Sequence, residues 1–66
     1  MNLIEGIQQQ QERVRGIIPH YEEIGMLGIF GLAMLKEAVK HGDRAIASGD
    51  TIDMLAAYKE LEDCTE

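Results

Sequence analysis

The constraint that most limits this chain is a spacing. Ile4, Ile7, Gln11, Val14, Ile18 and Tyr21 follow one another in alternating steps of three and four. That is the seam of an amphipathic helix, and it excludes a strand, whose side chains alternate with a period of two. No sustained alternation and no Asn-Gly or Asp-Gly hairpin occurs elsewhere. Gln11 is the single polar member of the seam, where a buried amide can set register. Between the seam positions lie Gln8, Gln9, Gln10, Glu12, Arg13 and Arg15, a polar face of good helix formers. Asn2 is placed to cap this helix, with Glu5 three residues on as in a capping box. Pro19 removes one backbone bond, to the Arg15 carbonyl. Because Tyr21 still falls on the seam, the reading is a kink with one further turn to about Ile24.

Gly25, Gly28 and Gly31 then mark a turn, and a second helix is expected from Gly28 or Ile29 to Ser48. Its ridge is Phe30, Met34, Ala38, Gly42 and Ala45, widened by Ala33, Leu35, Val39 and Ile46. The small residues on that ridge allow close approach of another helix. Gly49 suits a left-handed helix end. Asp50 or Thr51 caps a third helix to about Glu62, with Met54, Leu55, Tyr58 and Leu61 as its apolar residues. The expected fold is therefore all-α. It is a single helical domain over residues 1–66, a small three-helix hairpin-like bundle with a long first and second helix and a short third.

Size bears on what completes it. A chain of 66 residues buries only about 60% of the surface its unfolded form exposes. The one cysteine, Cys64, makes no intramolecular disulfide, and no Cys/His set suggests a structural zinc. Self-association or a partner is the default expectation, with a dimer favoured. The apolar surplus places it at Ile4, Ile7, Val14, Ile18, Met26, Leu27 and Phe30. Twelve acids oppose six bases, unevenly: residues 1–49 carry a balance of −1 and residues 50–66 a balance of −5. Such a surface repels phosphate backbones and anionic membranes, so direct nucleic-acid binding is disfavoured. Glu60, Glu62 and Asp63 form a candidate acidic face for a basic protein partner, or for mimicry of DNA. Met1-Asn2-Leu3-Ile4-Glu5 is not a signal peptide, and the apolar stretch from Ile24 to Leu35 is too short to span a bilayer. A cytoplasmic location is expected, which suits a free thiol.

Chemistry-bearing groups are sparse. His20-x-x-Glu23 and Glu37-x-x-x-His41 each put an imidazole and a carboxylate on one helix face. They match the Glu-x-x-His pairs of di-iron bundles poorly, one being reversed and the other spaced by four. Solvated or capping histidines are the expected reading, with no metal or cofactor. Ser48 and Cys64 lack a neighbouring base, and the acidic terminus raises the thiol's pKa, so no catalytic residue is expected. The glycine triplet is neither a dinucleotide loop nor a phosphate loop. Lys36, Lys40 and Arg44 form a basic stripe that can either face solvent or receive an anionic, nucleotide-type ligand, with Arg13 or Arg15 as candidates to join it around a pocket between protomers.

Phe30-Gly31-Leu32-Ala33-Met34, then Ala45-Ile46-Ala47-Ser48-Gly49-Asp50, then Met54, Tyr58 and Leu61, with Pro19-His20-Tyr21-Glu22-Glu23 before them, carry a resemblance. Over roughly residues 17–62 the chain resembles short proteins carried by tailed phages and prophages. The matching residues are helix-packing and capping residues, so the resemblance implies no catalytic site. It implies a phage accessory context, in which small acidic helical proteins bind and block a host factor. The leading functional expectation is thus a non-enzymatic, self-associating interaction protein. The alternatives are an oligomeric binder of an anionic nucleotide-type ligand and an acidic DNA mimic.

Overall fold

The computed structural model describes residues 2–65, and of Leu27 the backbone only. It is an all-α bundle: α1 spans Leu3–Ile24, a 3-10 turn spans Gly25–Gly28, α2 spans Ile29–Ser48 and α3 spans Thr51–Glu62. Local chemistry sets most boundaries. The Asn2 side chain accepts the Glu5 amide at 2.8 Å and starts α1. Pro19 lies inside α1, which continues to Ile24. Pro19 and Arg15 both face solvent, where water can serve the carbonyl that proline leaves unbonded. Gly25 ends α1 at φ 71°, ψ −132°, a conformation closed to other residues. Gly49 ends α2 at φ 71°, ψ 6°, the left-handed cap. Asp50, rather than Thr51, caps α3, accepting the Ile52 and Asp53 amides.

Two-residue connection at Gly49-Asp50 makes α3 run back along α2, and the 3-10 turn makes α2 run back along α1. The core lies between the three helices: Ile7, Val14 and Ile17 from α1, Leu35, Ala38 and Ala45 from α2, and Met54, Ala57 and Leu61 from α3. Gln11 is buried among them. Its Nε2 donates to the Val39 carbonyl and to Asp43 Oδ1, both at 2.9 Å, so the one polar seam residue is satisfied.

Two packing expectations are corrected. Ile17, not Ile18, is the buried residue in the fifth seam position, and Ile18 is half-buried. A stripe in strict steps of three and four drifts around a helix of 3.6 residues per turn, so its ends leave the core face. The second-helix ridge is buried at Ala38, Gly42 and Ala45, but Phe30 and Met34 are 84% and 71% exposed. The reason is length. α2 has 20 residues and α3 has 12, so α3 is shorter by about 12 Å at ~1.5 Å per residue. No helix of the described chain covers that flank of the first turns of α2, where only the residues after α3 run.

Candidate functional site

Two surface features lie where α3 falls short. The first is the apolar end at the α1–α2 turn. Ile24, Met26, Ile29, Phe30 and Met34 are all more than half exposed, Met26 at 88%. The twelve residues from Ile24 to Leu35 carry no charge. Five large side chains so exposed together present apolar surface on the order of 600 Å².

The second is a cleft of about 640 Å³ beside that end. Met34 and Leu35 of α2, Tyr21 of α1 and Cys64 after α3 form its apolar wall. Glu37, Glu60 and Asp63 also line it, and among the described residues no basic one does. The Tyr21 hydroxyl donates to the Thr65 carbonyl at 2.8 Å, fastening the chain beyond α3 to the end of α1. Gly31 admits the Tyr21 ring, which stands where a β-carbon would be.

The carboxylates are held from outside the cleft. Glu37 accepts from Arg44 at 2.8 Å, and that guanidinium keeps its carboxyl below the usual range. Asp63 lies 3.5 Å from Lys59. Glu60 is held by His41, the clearest electrostatic feature of the molecule. His41 Nδ1 lies 2.6 Å from Glu60 Oε2, and Nε2 lies 2.7 Å from Asp53 Oδ1. Only the imidazolium can donate through both nitrogens at once, so this geometry favours the charged ring. Bonds to Asp53 and then Glu60 raise its pKa, against the opposing effect of burial. The Cys64 thiol is also raised, first by burial and then by Glu60 and Asp63, against Arg13.

The sites expected from sequence are distributed as follows. Of the self-association residues, Ile7 and Val14 are fully enclosed in the chain's own core, leaving them no surface for a second copy. Ile18 is half-buried, while Ile4, Met26 and Phe30 are exposed. The Leu27 side chain lies outside the described residues. Lys36, Lys40 and Arg44 all face solvent, with Arg44 on Glu37. Arg13 is not directed to an anion pocket, because its guanidinium donates to the Leu61 carbonyl and to Gln10. Of the acidic face, Glu62 and Asp63 are exposed beside Lys59, and Glu60 is engaged with His41.

His41 is neither a solvated nor a capping histidine, as the sequence suggested, but a bridge from α2 to α3. Its partners stand 12 and 19 residues away, beyond the reach of local spacing. Among the described residues, no group of three His, Cys, Asp or Glu is arranged to hold a metal. Nor is any helix among them long and apolar enough to cross a membrane. Comparison with protein-family models, with curated proteins and with solved structures gives no match for this chain.

Proposed function

We propose that the chain is a non-enzymatic interaction protein that self-associates through its apolar end and presents its acidic side to another protein. The observation that carries this reading is the exposure of Ile24, Met26, Ile29 and Phe30 within an uncharged stretch. Most of the net charge of −6 lies after Asp50. The stretch from Ile24 to Leu35 is itself uncharged, so two copies can meet there without burying a charge. An interface of ordinary size needs about 800 Å² from each partner, which the patch and its polar surround can supply. The resemblance to short phage proteins extends the reading to an accessory protein that occupies a host factor.

Sedimentation at micromolar concentration tests it. The expected mass exceeds one chain and falls to one chain in the Met26→Ser, Phe30→Ser double variant. A single-chain mass for the unaltered protein overturns self-association.

One observation favours a second reading. Lys36 and Lys40 are exposed on α2 in the turns directly after the apolar end. A second copy docked there would bring both pairs of lysines together, a site for an anionic nucleotide-type ligand. Such a ligand would raise the unfolding temperature of the protein. The shift would vanish in Lys36→Ala, Lys40→Ala while the mass stayed the same.

A further inference from the structure

We propose that the cleft between the first turns of α2 and the end of α3 is a docking site for a basic amphipathic helix of a partner protein. The helix would lie beside Cys64 and Thr65, along the flank of α2 that helix α3 does not reach. This rests on the reading of the chain as an interaction protein and names the chemistry of its partner.

Three observations converge. The first is the missing length. α3 has 12 residues against 20 in α2, and the uncovered ~12 Å corresponds to about two turns of helix. A flank of α2 that packs against α3 further along is open there, which is why Met34 is exposed while Ala38 and Ala45 are buried. Tyr21 and Leu35 continue the same apolar surface into the cleft. A groove between two helices is filled most readily by the apolar stripe of a third.

The second is charge. Glu37, Glu60 and Asp63 line the cleft, with no base among its described lining residues. Each is held in place by a cation on its other side: Arg44, His41 and Lys59. A carboxylate has roughly four acceptor sites, so each retains capacity toward the cleft. Lysines or arginines flanking an apolar stripe would meet these oxygens. An acidic helix would meet repulsion instead, and this excludes α3 of a second copy as the occupant.

The third is order. The Tyr21–Thr65 bond and the His41 bridge fix the cleft's two sides relative to one another. The site therefore stands formed before a ligand arrives, which lowers the cost of binding. The acidic net charge would speed the approach of a basic partner.

The test uses three fluorescein-labelled synthetic peptides of one length. One carries leucines at i, i+3, i+4 and i+7 with lysines elsewhere. A second has glutamates in place of the lysines. The third is a scramble of the first with no apolar stripe. Fluorescence anisotropy reads affinity, and NMR shift changes of the full chain read location. The lysine peptide should bind at least tenfold more tightly than either control. Its affinity should fall as salt rises, and its shifts should centre on Tyr21, Met34, Leu35 and Cys64. Met34→Ser and Asp63→Lys, both exposed and checked for folding by circular dichroism, should each weaken it severalfold or more.

Equal binding of the scramble, or shifts centred on Asp50 and Asp53, would overturn the proposal by reducing the contact to bulk charge. So would concentration-dependent shifts centred on Tyr21 and Cys64 without peptide, which would show a second copy in the cleft. Should the peptide fail while the Met26 and Phe30 substitutions still change the mass, only the partner's chemistry falls. Should neither respond, the interaction reading falls with it.

Discussion

Gln11 Nε2 stands 2.6 Å from the point that a β-carbon on Gly42 would occupy. The absent side chain is the opening through which the amide reaches the Val39 carbonyl and Asp43. Ile7 Cγ2, at 3.1 Å, closes the other side of the same space. Helix α2 thus carries a glycine in its interior, at a cost of about 1 kcal/mol in propensity, so that α1 can set a buried hydrogen bond against it.

Gly42→Ala should consequently destabilise the protein despite its better helix propensity. Overpacking costs ~1–3 kcal/mol, and displacing the amide breaks two buried bonds. The expected net loss is about 1–2 kcal/mol, read from the midpoint of urea unfolding. With Gln11→Ala already in place only Ile7 Cγ2 presses on the new methyl, and the same substitution should cost markedly less. A loss of equal size in both backgrounds would disprove the coupling.

Stability should fall as pH rises through the neutral range. The His41 pKa is raised in the folded chain by Asp53 and Glu60. Its contribution is complete below the unfolded value, near 6.5, and is lost as pH climbs through the higher folded value. The carboxylates are about 40% exposed, so the two charged bonds together amount to about 1–2 kcal/mol after screening. In His41→Gln the decline of stability above pH 6.5 should flatten. An unchanged slope in thermal unfolding from pH 6 to 9 would assign the dependence to other groups.

How far the sequence could be read depended on distance along the chain. The Asn2, Gly49 and Asp50 caps were legible because each acts within three or four residues. The seam from Ile7 to Val14 was legible because helical period and burial coincide there. The seam failed at Ile18, where drift hands burial to Ile17. The bridge at His41 could not be read, since it needs the antiparallel register of α2 and α3 to bring Asp53 and Glu60 to one ring. Met34 on the second-helix ridge was misplaced for a related reason, whereas Phe30, also expected at a self-association surface, is exposed. Their spacing qualifies them for a core, and only the shortness of α3 leaves that core open on their side. The cleft is the same shortfall seen from outside.

Cys64 should alkylate slowly. Burial, Glu60 and Asp63 hold its thiol above the usual pKa, and the thiolate is the reactive form. At pH 7.5 its rate with iodoacetamide should lie severalfold or more below that of a free cysteine peptide. In urea it should rise to the peptide's rate. Occupation of the cleft by the lysine-rich peptide should slow it further, because Cys64 is part of the cleft wall. Folded-state reaction at the free-cysteine rate would contradict the described burial.

Removing the apolar end should alter association without altering the fold. Met26 and Phe30 are 88% and 84% exposed, so replacing them with serine removes little that the single chain buries. Exposed substitutions of this kind change stability by about 0.5 kcal/mol or less. Leu61→Ala, by contrast, empties a fully buried position and should cost about 2–5 kcal/mol. If the end is covered by a second copy, the unfolding midpoint of the unaltered protein should rise with concentration, because association draws on the folded state. The Met26→Ser, Phe30→Ser variant should lose that dependence and unfold where the dilute protein does. A variant that unfolds far below the dilute protein would show that these side chains belong to the monomer's core, and the apolar end would no longer be a surface.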